Sequence, residues 1–396
     1  MAASPSHIDM AFRRTCNVDV VCPDRFSALK RRVAAHVTST YPHIPGRPTR
    51  EGDPICDRIT FRLYCTGIVT CVTDGCSWGN KSRDASRSAN DAWIGYMCSM
   101  LYETRTLQEL SFHMIRGLML SHHSICNGKQ FWECGTTTLL GCVLVKTQGG
   151  GHALLCLSIG DCKAFLYSHA SKQLRDITTG SRCNLTNAAD PGGRIGPNTE
   201  DGRPDCRNMK FYMTPCCPDD IVVLCSDGVH DNFDADTLGL QPDELLVDTG
   251  GTNDWDNVTD KKATAGAKTK FMEGLIAQVF HAAERQQRKE RHRDRSRRRS
   301  QGGSMGSDAD VLSSSPQGPS PRDSHSPTVP HHTPMLPGVV AESIIQHCVS
   351  VNVKSRQFME NNQAEALPEN YAEYPGKMDH TSILAFSVPN FPIGST

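Results

Sequence analysis

Asp74, Asp161, Asp227 and Asp379 share a setting: each stands at the end of an apolar run, beside a glycine or another tight-turn residue. Asp74-Gly75 follows IVTCVT, Gly160-Asp161 follows LLCLSI, Asp227-Gly228 follows IVVLCS, and Asp379 leads directly into HTSILAFSV. Taken singly, each reads as an ordinary turn, because Asp-Gly is a favoured hairpin dipeptide. Gathered at the mouth of a sheet, such carboxylates repel one another unless a cation neutralises them. Oxygen-only ligands select Mg²⁺ or Mn²⁺ over zinc or copper, and a glycine beside the aspartate lets a backbone carbonyl approach the ion. The chemistry on offer is activation of water by a two-ion site. Competing chemistries lack their signatures: there is no Ser-centred nucleophile elbow, no Cys–His protease signature and no G-x-x-x-x-G-K-[ST] phosphate loop.

Positioning these aspartates requires strands and helices in a definite order. Alternation of Ile59, Phe61 and Leu63 in DRITFRLY, followed by the β-branched GIVTCVTDG, predicts an opening strand pair. Two helices follow: one carries Ala85, Ala89, Trp93, Tyr96, Met97 and Met100 on a single stripe, and the next opens with Thr106 and Glu109 as a capping box. Further strands are expected in GTTTLLGCVLV, HALLCLSIGD, CKAFLYS, MKFYMTP and DDIVVLCSDG. Helices around Phe271 to Ala283 and Val339 to Val349 then precede the last strand, HTSILAFSV. Strand blocks separated from helix blocks predict an α+β protein rather than a doubly wound parallel sheet.

The chain of 396 residues has room for one large domain with appendages, and 38% hydrophobic against 21% charged residues fits a globular protein with a polar segment. Residues 1 to about 45 lack strong periodicity and are expected to be an N-terminal extension of unknown role, with the domain spanning 46–390. Two polar loops should interrupt it, one at about 246–268 and one at 285–337, the latter disordered, basic and then Ser/Pro-rich. No apolar run approaches the ~18 residues of a membrane span, and MAASPSHIDMAFRR lacks a signal-peptide core. The 18 cysteines lie scattered through apolar runs, which points to a reducing compartment, cytoplasmic or nuclear. A net charge of −1 excludes a globally basic nucleic-acid binder. Locally, Arg285 to Arg299 holds nine basic residues against Glu290 and Asp294, a block suited to nuclear import or to an acidic protein or RNA partner, or equally to a solvated helix extension and linker.

Six motifs in order resemble the metal-dependent protein phosphatase family, the type 2C serine/threonine phosphatases. They are GDPICD at Gly52 to Asp57, VTDGCSWG at Val72 to Gly79, CGTTT at Cys134 to Thr138, SIGDCKAFLY at Ser158 to Tyr167, PDDIVVLCSDGVHD at Pro218 to Asp231, and GKMDHTSI at Gly376 to Ile383. The resemblance implies an αββα sandwich of two packed antiparallel sheets flanked by helices. It also implies hydrolysis of phosphoserine or phosphothreonine in phosphoprotein substrates. Asp74 would bridge two Mg²⁺ or Mn²⁺ ions, with Asp227 and Asp379 as terminal ligands of one and the Gly75 carbonyl a ligand of the other. Asp57 would orient water on the metal, and Asp161 and Asp231 match positions that bind a further, weaker metal. Water or hydroxide held between the metals would attack phosphorus in line, without a phosphoenzyme.

The chain departs from that pattern in three places. Cys76 stands where many members have a histidine general acid. DPGGRIGPNTEDGRPDCRNM fits the usual flap poorly, and the phosphate-binding arginine has only Arg50 or Arg47 as candidates upstream of Asp57. All six acidic positions are retained, which favours an enzyme over the alternative, an inactive phosphatase-like scaffold recruiting partners through its basic insertion. Cys76 is expected to be a small residue fitting its turn, and His230 a packing residue.

Overall fold

The computed structural model describes residues 6–8, 16–20 and 32–390, apart from 65–66, 148–150, 183, 185–186, 189, 200, 252, 302–334 and 363–364. Strands β1 (Ser6–Ile8), β2 (Cys16–Val20), β3 (Val33–Ser39), β4 (Arg58–Leu63) and β5 (Gly67–Thr73) precede helices α1 (Asn80–Met100) and α2 (Leu107–Cys126). Strands β6 (Leu139–Lys146), β7 (His152–Ile159), β8 (Lys163–Tyr167), β9 (Leu174–Asp176), β10 (Lys210–Cys216) and β11 (Ile221–Cys225) follow, then the single turn α3 (Asp227–His230). Helices α4 (Lys261–Gln301), α5 (Pro337–Val351) and α6 (Val353–Asn361) lead to β12 (His380–Ser387). One sheet has the order β1-β2-β4-β5-β6-β7-β10, the other β3-β12-β11-β8-β9. Among the described residues every pairing is antiparallel except β2 with β4, which is parallel.

The strands are apolar on both faces because both faces are covered. In β11, Val222 and Leu224 point between the sheets toward Phe61, Leu140, Leu154, Leu384 and Phe386, while Ile221, Val223 and Cys225 face α4 and α5 through Met272, Ile276, Phe280 and Ile344. Across the molecule, Val69, Cys71, Val143 and Leu155 on the outer face of the first sheet meet Ala85, Ala89, Trp93 and Met97 of α1 and Met114 of α2. The result is the αββα sandwich, with each fully buried large apolar side chain contributing roughly 1.5–3 kcal/mol. The capping box of α2 forms as its sequence predicts: Glu109 N–H donates to Thr106 Oγ1 at 3.1 Å, and Thr106 N–H to Glu109 Oε2 at 3.2 Å. No described helix is long and apolar enough to cross a membrane.

Three boundaries differ from expectation. Residues 33–39, assigned from sequence to an extension, form β3, which pairs with β12 from His380↔Ser39 to Phe386↔Val33. Its two alanines and a histidine blur the alternation that Val33, Ala35 and Val37 would otherwise display. Within 246–268, Trp255 is buried with Nε1 donating to the Leu240 carbonyl, and α4 begins at Lys261. The Lys268 ammonium there lies 2.9 Å from Asp234 and 4.6 Å from the Trp255 ring centre. The basic run is helical, since α4 continues to Gln301. The Ser/Pro-rich residues 302–334 lie outside the described residues.

Candidate metal centre

The ends of β5, β7, β11 and the start of β12 bring the aspartates together, and glycines set how closely. A Cβ on Gly75 would lie 2.5 Å from the Ser82 carbonyl oxygen, so only glycine lets α1 pack down on the β5 turn. A Cβ on Gly228 would meet the His380 carbonyl at 2.1 Å, which is why Asp227 and Asp379 can flank one site. The CGTTT segment clamps Asp74 through its backbone: Thr138 N–H and Thr137 Oγ1 donate to the Asp74 carbonyl, and Asp74 N–H donates to Thr138 Oγ1 at 3.1 Å.

Asp57 is 2% exposed, and neither carboxylate oxygen makes a hydrogen bond of ordinary geometry. Burial pushes its pKa up to about 8, with the Ser382 and Ser226 hydroxyls offsetting part of the rise and Asp379 and Asp227 adding to it. Burial, then Asp57 and Asp227, hold Asp74 well above the usual carboxylate range. Burial and the Asp227 charge raise Asp379 to about 6 against the opposing pull of Lys377. Mutual repulsion among Asp57, Asp74 and Asp379 is thus only partly offset, while Lys377 pulls Asp227 below the usual carboxylate range against its burial.

Two cations that sequence reasoning missed stand among these acids. The Lys377 ammonium contacts Asp227, lies 2.9 Å from Asp379 Oδ2 and lies 3.2 Å from Asp231 Oδ2. Burial works against its charge, but those three carboxylates outweigh it and keep Lys377 protonated well above the lysine range. Arg182 Nη2 sits 3.0 Å from Asp161 Oδ2 and 2.9 Å from Asp231 Oδ1. Against burial, Arg182, Lys377 and His230 hold Asp231 well below the usual range. A lysine inside GKMDH, two residues before Asp379, was a legible signal; nothing in TTGSRC singled out Arg182.

Among the described residues, no three His, Cys, Asp or Glu side chains form a ready cation cage. Lys377 and Arg182 engage several of the acids instead. The donor set still suits hard divalent ions, because both Asp57 oxygens and Asp227 Oδ1 are buried and make no hydrogen bond of ordinary geometry. Once all six carboxylates have given up their protons, two fixed cations leave four negative charges, the charge two divalent ions would cancel.

The other candidates fall into place around this cluster. Arg50 does not touch the acids: its guanidinium donates to the Tyr41 carbonyl, while the Tyr41 hydroxyl donates to Asp379 Oδ1 at 3.2 Å. Arg47 is exposed. Cys76 is partly buried, and burial raises its thiol to about 11, which disfavours a reactive thiolate. His230 is more than packing, since its Nε2 lies 2.9 Å from the Asp161 carbonyl and its Nδ1 3.0 Å from Asp231 Oδ1.

No family model matches the chain. A PP2C-like domain-containing protein of Drosophila melanogaster, CG9801, is 28% identical over 195 residues, covering 46% of this chain and 26% of that protein. The chain therefore matches about a quarter of the length of that curated relative. Among solved structures, the photosystem II phosphatase PBCP is similar at 14% identity and a TM-score of 0.45, covering 90% of this chain and 98% of that one. The catalytic domain of the serine/threonine phosphatase PstP, in complex with two manganese ions, is similar at 11% identity and a TM-score of 0.39, covering 90% and 98%. The curated relative's name, a PP2C-like domain-containing protein, agrees with the type 2C likeness that the six motifs give this chain.

Proposed function

We propose that this chain is a Mg²⁺- or Mn²⁺-dependent phosphatase acting on phosphoserine or phosphothreonine in proteins. The observation that supports it most is Asp57, a buried carboxylate whose oxygens make no hydrogen bond of ordinary geometry, beside Asp227 and Asp379 in a cluster whose carboxylates outnumber its cations. Asp57, Asp74, Asp227, Asp379 and the Gly75 carbonyl would hold two ions. Bound there, the ions would lower the pKa of water and offset phosphoryl charge. The chain's own residues do the rest. The Thr137 and Thr138 contacts fix Asp74, and the Tyr41 and Thr40 hydrogen bonds fix Asp379. Asp57 must give up its proton before it can serve as a ligand or orient water.

Lys377 gives the second proposal, an inactive scaffold, its one specific support, because the lysine already satisfies three of the carboxylates. The basic end of α4 would then recruit acidic partners in the cytoplasm or nucleus. Phosphate release from a phosphothreonine peptide, measured with Mn²⁺, with chelator and with Asp74→Asn, separates the two. Turnover that needs Mn²⁺ and is lost in the variant supports the enzyme; Mn²⁺-independent background in all three supports the scaffold.

A further inference from the structure

We propose that Arg182 is a built-in replacement for a divalent ion at the outer acid pair, so that Asp161 and Asp231, matched by resemblance to a further metal position, take no ion in this chain. The inference rests on the reading of the inner cluster as a divalent-ion site. It concerns a separate pair of side chains.

The geometry is that of a bridging cation. A single nitrogen, Arg182 Nη2, lies 3.0 Å from Asp161 Oδ2 and 2.9 and 3.0 Å from the two oxygens of Asp231. A divalent ion joining the same carboxylates would need oxygens at about 2.0–2.6 Å and the space this nitrogen fills. Asp231 is crowded further, because His230 Nδ1 stands 3.0 Å from Oδ1 and Lys377 Nζ 3.2 Å from Oδ2, although Oδ1 of Asp161 and of Asp231 makes no hydrogen bond of ordinary geometry. Both acids are 1% exposed in their side chains and Arg182 13%, so the pair is shielded from solvent and from salt. Guanidinium keeps its charge at every working pH, which makes it a permanent substitute where a weakly held ion would come and go.

The loop that delivers Arg182 is pinned rather than free to swing. Asp176 Oδ1 accepts from both the backbone N–H (2.7 Å) and the hydroxyl (2.8 Å) of Thr178, and Ser181 N–H donates to the Thr178 carbonyl at 3.0 Å. Asn208 Nδ2 donates to the Ser181 carbonyl at 2.8 Å. Gly180 takes a φ of 78°, the left-handed turn that aims the next residues at the acid pair.

The test counts ions. The full chain, Arg182→Met and Arg182→Lys are equilibrated with Mn²⁺, and bound manganese per chain is read by native mass spectrometry and by metal analysis after dialysis. Arg182→Met should take one weak ion more than wild type, lost again in Arg182→Met/Asp161→Asn, whereas Arg182→Lys should match wild type. A folded Arg182→Met with no added ion overturns the proposal. If Arg182→Met does not fold, Asp161→Asn in the otherwise wild-type chain decides. An unchanged ion count supports the replacement, and loss of one ion overturns it. A wild type with no bound manganese defeats the inner-site reading, while the difference between wild type and Arg182→Met still judges Arg182.

Discussion

Lys377 precedes Asp379 by two residues, and its Nζ stands 2.9 Å from Asp379 Oδ2 while also contacting Asp227. The carboxylates proposed as ligands of one ion are thus already held by a charge of the chain's own. Lys377→Met removes that charge and keeps most of the aliphatic volume. Mn²⁺ affinity should rise at least about tenfold, or 1.4 kcal/mol. The metal-free variant should melt at a lower temperature, because its buried carboxylates lose their partner. Titration calorimetry and thermal melts check both; unchanged affinity would place the ions away from Asp227 and Asp379.

Asp57 should make the metal-free protein lose stability as pH rises. Its folded pKa of about 8 lies above the ordinary carboxyl value of 3.8, so between those limits the native state binds more protons than the unfolded state. Stability then falls with pH across that window. Ion uptake requires the proton to leave, so apparent Mn²⁺ affinity should strengthen toward pH 8 with protons released on binding. Asp379, raised to about 6, adds release at the lower end. Melts of chelated protein at pH 5, 7 and 9, repeated with Asp57→Asn, should show a slope that flattens in the variant. An equal slope in both would assign the titration elsewhere.

The parts of this molecule legible in its sequence are those where one physical requirement dominates. Alternation in β4 and the apolar run of β11 exposed the sheets, and the Asp-Gly corners exposed the acids, because a tight turn at a strand end tolerates few residue types. The α1 stripe was visible at Ala85, Ala89, Trp93 and Met97, all of which are buried. Strand β3 was hidden by its alanines, although Ala34 and Ala35 pack on opposite faces of the sheet. The start of α4 was masked by polar residues whose role is long-range: Lys268 is buried because Asp234 and Trp255 meet it there. Arg182 was missed for the same reason, since pairing with a residue 49 positions away leaves no local pattern, whereas Lys377 was legible beside Asp379 and only its contact with Asp227, 150 positions away, was not.

Gly141 on β6 faces Trp93 of α1, and its size sets how closely that helix approaches the sheet. A Cβ there would lie 2.4 Å from Cε2 and Cζ2 of the indole, and one on Gly117 of α2 would lie 3.1 Å from Cδ1, so the ring is wedged between two glycines. Trp93 is fully buried, leaving no open side into which it could turn. Gly141→Ala should therefore destabilise by about 1–3 kcal/mol through overpacking. Gly141→Ala combined with Trp93→Leu should cost less than the sum of the two single changes, because the smaller side chain vacates the space the methyl needs. Denaturant midpoints of the four proteins give this coupling directly. Because the first turn of α1 also lays the Ser82 carbonyl against Gly75, a helix lifted by Gly141→Ala should weaken Mn²⁺ binding at the distant Asp74 corner. Additive stabilities together with unchanged Mn²⁺ affinity would show that the Trp93 contact is relieved locally and that α1 does not transmit it.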